Sequence, residues 1–406
     1  MREAGDPSLK LLRGSADSAN VSGITPPVSS LRSIDELLEA MVARGASDLH
    51  LTVGTPPAIR IRGELERLEG LPALTPEATQ DMLYRVLSTE QQKQLEIKRQ
   101  IDTSHSIPGL ARFRVNVYFQ RGSLGAAFRV IPEELKTLEE LGLPLSLAAL
   151  AMQPRGLVLV TGPTGSGKST TLAAMIDEVN RNRTDHILTI EDPIEFVHRH
   201  KRCIVNQREI GVDATSFGEA LRAALRQDPD VILVGEMRDL ETIGTALTAA
   251  ETGHLVLGTL HTQSAPGTID RIIDVFPAEQ QEQVRIMFAT SLQGIVTQAL
   301  VPTADGLGRI AALEILLPDD ATRNLVRQGK VEQIYTIMQT STSRGMMTME
   351  QSLANLILRR VITRETALSC TSRPDQLEGL LERAGFEDLD PAAAPAQVGG
   401  LRVAGS

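Results

Sequence analysis

Two kinds of hydrophobic pattern divide the chain into two α/β regions. In the first region, apolar residues recur at helical spacing just after residue 33, and apolar and polar residues then alternate in residues 58–65 and 113–119. In the second region, short uninterrupted apolar runs such as residues 157–160 alternate with segments of helical period. Because such runs are typical of strands buried on both faces, the second region predicts a largely parallel sheet with right-handed helical crossovers.

The pattern predicts a smaller mixed α/β domain and a larger α/β domain, joined by a linker and flanked by two tails. Both tails are rich in small residues and proline and show little periodicity, so they are predicted to be disordered. The predicted bounds are residues 1–32 for the first tail, 33–132 for the smaller domain, 133–154 for the linker, 155–385 for the larger domain with its helical carboxyl-terminal region, and 386–406 for the second tail.

A complete P-loop lies between the first buried strand of the larger domain and the helix that follows. It consists of Gly162, Pro163, Thr164, Gly165, Ser166, Gly167, Lys168, Ser169 and Thr170. Glycines tolerate positive φ and let backbone N–H groups converge on phosphate oxygens at the positive end of the helix dipole. Lys168 adds a positive charge for the β- and γ-phosphates, and the Ser169 hydroxyl is a ligand for Mg²⁺. The motif therefore predicts nucleoside triphosphate binding.

Polar residues follow three further predicted strands of the larger domain. Residues 187–190 run into Glu191-Asp192, residues 231–234 into Gly235-Glu236, and residues 255–260 into His261-Thr262. Ligands of open α/β sheets lie beyond the carboxyl ends of the strands. We therefore expect these strand ends to gather around the phosphates held by the P-loop.

Glu236 follows four consecutive apolar residues and is the first choice for the catalytic base. In this role its carboxylate orients or deprotonates the water that attacks the γ-phosphate, an effect that typically contributes roughly 100-fold to 10,000-fold to the rate. The alternative is a structural ion pair of Glu236 with Arg238 or Lys168. The sequence leaves both interpretations open.

Acidic residues at the neighbouring strand end are candidates for the metal site. Glu191, Asp192 and Glu195 could orient Mg²⁺ through its water ligands. As alternatives, Asp192-Pro193 is typical of a turn and Glu195 of a surface charge. A magnesium site formed by Ser169 and this acidic segment is thus predicted.

Two histidines and three arginines complete the candidate residues. His254 and His261 bracket one predicted strand and could sense the γ-phosphate or bind a catalytic carboxylate; as alternatives, each is a structural histidine. Arg112, Arg114 and Arg129 lie on predicted strands of the smaller domain, where a solvated face is the simpler interpretation. A guanidinium supplied by another domain nevertheless suits the charge on a transferring phosphoryl group.

Composition narrows the classes of partner. The 406 residues carry a net charge of −10, which argues against a surface built to bind nucleic acid. The two cysteines, Cys203 and Cys370, form no CxxC pair, so the sequence indicates neither a disulfide framework nor a zinc site, and a reducing cytoplasm fits. No apolar run approaches the roughly 18–20 residues of a membrane span, so we expect membrane association only through partners.

Four ordered motifs resemble those of the secretion ATPases and, within that family, of the PilT-like retraction motors of type IV pili. The motifs are residues 162–170, 189–195, 228–239 and 252–262. The resemblance implies a RecA-like ATPase domain preceded by a PAS-like domain, a hexameric ring, ATP with Mg²⁺, and active sites between subunits. Gly235 stands where other P-loop enzymes have a magnesium-binding aspartate, as is common in this family.

The same resemblance implies roles for individual residues. It assigns Glu236 as the catalytic glutamate, Glu191 and Glu195 to an acidic box, His254 and His261 to a histidine box, and Arg112, Arg114 and Arg129 as candidate arginine fingers. Magnesium binding would then fall to Ser169 and the region of Glu191.

The implied function is an ATP-hydrolysing motor for pilus retraction, and hence for twitching motility. Its implied partners are an inner-membrane platform protein and a paralogous retraction ATPase, with the motor in the cytoplasm at the inner face of the membrane. Retraction is favoured because the sequence shows no tetracysteine zinc element or long amino-terminal extension, and because residues 321–327 resemble a retraction-motor segment, although Thr322 replaces the usual aliphatic residue. Alternatives are a pilus assembly or type II secretion ATPase, a nucleic-acid translocase, and a non-hydrolysing regulatory subunit.

Overall fold

The computed structural model describes residues 33–61, 63–131 and 135–386, which form two α/β domains in chain order. The predicted first tail lies outside the described residues, as does the predicted second tail apart from Phe386. Among the described helices, none combines the length and the apolar character needed to cross a bilayer.

The smaller domain is a six-stranded antiparallel sheet with strand order β3-β2-β1-β6-β5-β4. Its elements are α1 (Ile34–Ala43), β1 (Asp48–Leu51), β2 (Ala58–Ile61), β3 (Glu64–Arg67), α2 (Pro76–Val86), α3 (Thr89–Lys98), β4 (Gln100–Ile107), β5 (Ala111–Gln120) and β6 (Ser123–Ile131). The alternation in β5 buries Phe113, Val115 and Val117 in one core with Leu37 and Leu38 of α1. A mixed α/β domain is therefore confirmed here.

The boundaries inside the smaller domain differ from the sequence predictions in two places. Residues 58–65 form parts of two antiparallel strands, β2 and β3, because Gly63 adopts a φ of 91° and turns the chain. The helical stretch predicted at about 75–98 is two helices, since Leu87 is extended and the Ser88 hydroxyl caps α3 by accepting from the Gln91 N–H.

The larger domain is built on a seven-stranded sheet with strand order β13-β12-β7-β11-β10-β8-β9. All neighbouring pairs are parallel except β12 with β13. The strands are β7 (Gly156–Thr161), β8 (His186–Glu191), β9 (Ile204–Glu209), β10 (Val231–Val234), β11 (Leu255–Leu260), β12 (Leu292–Pro302) and β13 (Arg309–Leu316). The predicted parallel sheet is thus confirmed, and the carboxyl ends of its parallel strands lie on the same side of the domain.

Helices cover both faces of this sheet and continue beyond it. They are α4 (Leu145–Ala151), α5 (Lys168–Asn182), α6 (Phe217–Ala224), α7 (Leu240–Glu251), α8 (Ala265–Asp274), α9 (Ala278–Ser291), α10 (Asp320–Gln328), α11 (Ile334–Thr340), α12 (Met349–Leu358), α13 (Arg364–Cys370) and α14 (Pro374–Arg383). The last three helices share a separate apolar core with Val301 and Ala312 of the β12–β13 hairpin. They form the predicted helical carboxyl-terminal region.

The segment predicted as a linker, residues 133–154, is packed where the structure describes it. Leu138, Leu147 and Leu150 are buried against β7 and α5, in the core on one face of the large sheet. Removing each such leucine from water is worth roughly 1.5–3 kcal/mol, so this segment helps to stabilise the larger domain.

Candidate active site

The P-loop connects the carboxyl end of β7 to the amino end of α5. Its glycines take left-handed φ values of 134° at Gly162, 78° at Gly165 and 87° at Gly167. Side chains at such φ values are strained, so glycine allows the backbone to wrap tightly. The free N–H groups at the start of α5 therefore lie at the positive end of a 15-residue helix, as an anion site requires.

The Lys168 ammonium group is directed back into the loop. Nζ donates to the carbonyl oxygens of Gly162 at 2.9 Å and Pro163 at 3.0 Å. Burial lowers the pKa of Lys168, whereas the carboxylates of Glu236 and Glu195 raise it. The lysine of the P-loop is thus within the electrostatic influence of two acidic side chains, Glu236 after β10 and Glu195 after β8.

A cleft of about 670 Å³ opens beside the P-loop. Its lining includes P-loop residues together with Glu191, Asp192, Glu195, Gly235, Glu236 and His261 from the strand ends and Arg129 from the smaller domain. The three strand ends therefore border one cleft, because parallel strands end at the same edge of the sheet.

Glu236 lies in this cleft with two positively polarised partners. His261 Nε2 is 2.8 Å from Glu236 Oε1, and the same oxygen is paired with the Arg238 guanidinium. Arg238 has a 74% exposed side chain, so solvent screens this pair, whereas Glu236 is only 21% exposed. Glu236 therefore forms the ion pair with Arg238 that was the structural alternative, and it also lies in the cleft, where a catalytic base would act.

Glu191 is held inside the protein by three donors. Its Oε1 accepts from Thr189 Oγ1 at 2.6 Å and Gln207 Nε2 at 3.1 Å, and its Oε2 accepts from the Glu195 N–H at 3.4 Å. Burial raises the pKa of Glu191, an effect that the Thr189 and Gln207 hydrogen bonds oppose. Burial also raises the pKa of Asp192 on the adjoining turn.

The oxygen donors around the P-loop fit a magnesium ion that also binds phosphate. Ser169, Glu191, Glu195 and Glu236 line the cleft, and hydroxyl and carboxylate oxygens are the ligands that Mg²⁺ prefers. In the described part of the chain, no group of three or more His, Cys, Asp or Glu side chains is placed to hold a metal alone. The usual Mg²⁺ site uses one or two protein ligands together with substrate phosphates and water.

The two predicted histidines lie at opposite ends of strand β11. His261 follows β11 and reaches Glu236, whereas His254 precedes β11 and its Nδ1 is 3.0 Å from the Ala249 carbonyl oxygen. Six strand residues separate them, which corresponds to roughly 20 Å along the strand. Within one subunit, the structure therefore brings His261 to the cleft and not His254.

Arg112 joins the smaller domain to the larger one. Its Nη2 donates to Glu209 Oε2 on β9 at 2.7 Å and to Ser104 Oγ at 2.7 Å. The same Glu209 oxygen accepts from the Ile194 N–H at 3.2 Å. Arg112 is thus bound within its own subunit, next to the acidic turn of the site.

Arg129 and Arg114 are more accessible than Arg112. Arg129 Nε donates to the buried Asp48 Oδ1 at 2.7 Å, yet its side chain is 70% exposed and it borders the cleft. Arg114 is exposed on β5, and its charge lowers the pKa of Asp192 against the effect of burial. Both guanidinium groups are therefore available near the acidic turn.

Sequence reasoning missed three supporting residues. Thr189 and Gln207 hold Glu191, and Gln298 on β12 contacts the P-loop from behind. A polar residue inside an apolar run could have indicated such a role, as Gln298 does among the mostly apolar residues 295–301. Strand β12 itself was not predicted.

Comparisons with known proteins give consistent matches over both domains. The family described as type II/IV secretion system protein matches residues 27–368. The type IV pilus retraction ATPase PilT of Pseudomonas aeruginosa is 53% identical over 342 residues, which cover 84% of this chain and 99% of that protein. The type IV pilus ATPase PilU of the same organism is 42% identical over 356 residues, covering 88% of this chain and 93% of PilU. A crystal structure of the retraction motor PilT with bound ADP matches with a TM-score of 0.80 at 52% identity, covering 86% of this chain and 99% of that chain.

Proposed function

The chain belongs to the type II/IV secretion system protein family, and we propose that it is the ATPase that powers retraction of a type IV pilus. The observation that carries this proposal is the 53% identity to a pilus retraction ATPase along 99% of that protein's length. The expectation drawn from the four sequence motifs is thereby confirmed for the family and for ATPase activity. The identity to PilU is lower, at 42%, so the principal motor is favoured over an accessory one.

The described residues divide the work of hydrolysis among them. The P-loop amides and Lys168 bind the β- and γ-phosphates, and Ser169 with Glu191 and Glu195 would hold Mg²⁺ directly or through water. When bound, Mg²⁺ neutralises charge on the phosphate oxygens. Glu236 orients the attacking water and accepts its proton as the bond to the γ-phosphorus forms and the bond to the leaving ADP oxygen breaks.

His261 positions the catalytic carboxylate in this mechanism. Its Nε2 is 2.8 Å from Glu236 Oε1, so the contact restricts the rotation of the Glu236 side chain. A correctly oriented base is more effective than a mobile one because the reacting atoms must lie within about 3–3.5 Å.

The working assembly in this proposal is a homo-hexamer. Arg112, Arg114 and Arg129 would then stabilise the charge that develops on the γ-phosphate of a neighbouring subunit, and His254 would act across the same interface. What supports this for the arginines is that Arg129 borders the cleft with a 70% exposed side chain, and that Arg114 is exposed next to Asp192. Rotation of the two domains of neighbouring subunits against one another would transmit force.

The proposed partners follow from the proposed function. The motor would act in the cytoplasm at the inner face of the membrane, on an inner-membrane platform protein, with a paralogous retraction ATPase as a further partner. We expect no nucleic acid partner, since the net charge of −10 disfavours it.

The Glu236→Gln variant tests the catalytic assignment. We expect it to retain ATP binding and to lose at least about 100-fold in kcat, because the amide cannot accept the proton. Glu279→Gln, an exposed substitution in the first turn of α9, is the control and should keep wild-type turnover. Full hydrolysis by Glu236→Gln would contradict the assignment.

Imaging of a deletion strain tests the biological role. Loss of the gene should leave abundant pili that do not retract, and Glu236→Gln should reproduce this phenotype. Absence of surface pili would instead identify an assembly motor. Light scattering on the purified protein checks the ring, since an active monomer would contradict it.

A further inference from the structure

We propose that Gln298 is a positioning residue for nucleotide binding, which sets the conformation of the P-loop from behind the phosphate site. Gln298 lies on β12, is 3% exposed, and is 130 residues distant from Lys168 in the chain (298 − 168). The proposal depends on the ATPase activity alone, so it stands or fails independently of the role in pilus retraction.

Strand pairing explains why Gln298 reaches the P-loop. Strand β12 runs parallel to β7, with Thr297 opposite Thr161. The next residue of β12, Gln298, therefore lies beside Gly162, where β7 ends and the P-loop begins, while β12 itself continues to Pro302. A hydrogen bond of 2.9 Å between the Thr297 and Thr161 hydroxyl groups holds this register.

The Gln298 amide connects the loop to the helix that follows it. Nε2 donates to the Ser166 carbonyl oxygen at 2.7 Å, and Oε1 accepts from Thr171 Oγ1 at 2.8 Å. One buried side chain thus satisfies an acceptor within the loop and a donor on α5. Because both bonds are shielded from water, losing either leaves a buried polar group without a partner.

Gln298 also limits the space available to two P-loop glycines. A Cβ atom at Gly162 would clash with the Gln298 carbonyl oxygen, and one at Gly167 would lie 2.7 Å from Gln298 Nε2. The loop therefore rests against Gln298 at both of its ends. The contact at Gly162 comes from the Gln298 main chain and the contact at Gly167 from its side chain, so a shift of the side chain would act on the start of α5.

The Ser166 hydroxyl lies close to these contacts in the P-loop. Its Oγ is buried and has no hydrogen-bond partner among the described residues, and it would be 2.8 Å from a Cβ atom at Gly162. Gln298 thus holds the main chain of a residue whose own hydroxyl is still unsatisfied. The contact through the Ser166 carbonyl is the one that we expect to matter for nucleotide affinity.

Two substitutions separate a positioning role from a packing role. Gln298→Glu has nearly the same shape but replaces the donor by an acceptor, so it should repel the Ser166 carbonyl oxygen. Gln298→Leu fills similar volume without either hydrogen bond. If Gln298 only fills space, both variants should bind nucleotide as the wild type does.

The measurements are the Kd for ADP in the presence of Mg²⁺, kcat and KM for ATP, and Tm without nucleotide. We expect Gln298→Glu and Gln298→Leu to raise the ADP Kd and the ATP KM about tenfold, with kcat at saturating ATP within about threefold of wild type. Gln293→Leu is the control, since Gln293 lies near the amino end of β12, beside Gly156 at the start of β7 and away from the P-loop. It should leave all three constants unchanged.

Thr171→Val provides the test if the Gln298 variants do not fold. This isosteric change removes the donor to Gln298 Oε1, and we expect it to raise the ADP Kd about threefold. Combined with Gln298→Leu it should add little, since the contact is already lost. An unchanged ADP Kd in the folded variants, or a fall in kcat without a change in Kd, would overturn the proposal.

Discussion

Arg112 Nη2 lies 2.7 Å from Glu209 Oε2, and this ion pair connects the two domains of one subunit. The Glu209 carboxylate is 2% exposed and also accepts from the Ile194 N–H, next to Asp192 and Glu195. In the hexamer proposed above, Arg112 would have to leave Glu209 before it could contact a phosphate on a neighbouring subunit. Glu209 Oε2 thus accepts both from Arg112 of the smaller domain and from the Ile194 N–H in the acidic turn of the site.

Breaking this pair should destabilise the protein. Arg112→Met removes the positive charge and the hydrogen bond that offset the burial of the Glu209 carboxylate. We therefore expect the free energy of unfolding to fall by about 1–3 kcal/mol. Denaturant unfolding measures it. Arg114→Met, on the exposed position two residues further along β5, is the control and should change stability by less than about 0.5 kcal/mol. Equal stability of the two variants would show that the pair contributes nothing.

Replacing His261 should slow turnover more than replacing His254. His261 contacts Glu236, whereas His254 bonds to the Ala249 carbonyl at the other end of β11. We expect His261→Ala to lower kcat roughly tenfold to 100-fold with little change in KM, because it acts on the reacting carboxylate. Steady-state ATPase assays compare the two variants. A larger loss for His254→Ala would place its action at a subunit interface instead.

Alanine should be tolerated less well at Gly167 than at Gly165. Both positions have left-handed φ values, 87° and 78°, so either substitution should cost about 1 kcal/mol of backbone strain. Only at Gly167 does the new Cβ meet a neighbour, Gln298 Nε2 at 2.7 Å, whereas Gly165 has open space. We therefore expect a lower Tm and weaker ADP binding for Gly167→Ala. Identical behaviour would contradict the contact with Gln298.

His198 should make the protein less stable at acidic pH. Burial lowers the pKa of His198 to about 4 from its ordinary value of 6.5, with Asp177 opposing this effect and Lys201 adding to it. The unfolded chain therefore binds the extra proton first, and stability falls as pH decreases from about 7 towards 4.

Between pH 7 and pH 5 this one residue should account for about 2 kcal/mol of the loss. His198→Asn should reduce the pH dependence by that amount, as measured by denaturant unfolding at both values. His200→Asn, at an exposed position in the same loop, is the control. An unchanged pH dependence in His198→Asn would refute the assignment.

The sequence predicted strands β7, β8, β10 and β11 of the larger domain but not β9, β12 or β13. Strands β7, β10 and β11 are continuous apolar runs because both faces are covered. Strand β9, at one edge of this sheet, carries several polar residues and lacks that pattern, and Gln293, Thr297 and Gln298 interrupt the apolar run of β12. Whether a strand lies at an edge depends on which other strands pair with it, and that is not a local property.

By itself, the sequence determined the nucleotide site and the residues at the strand ends around it. The P-loop is a local motif, and parallel strands bring Glu191, Glu236 and His261 to one edge whatever the remaining topology. The tertiary structure alone decided the contacts of Gln298 with the P-loop, 132 positions from Ser166, and of Arg112 with Glu209, 97 positions apart. Hydrogen bonds over such separations depend on strand order and on domain docking, which short-range patterns do not encode.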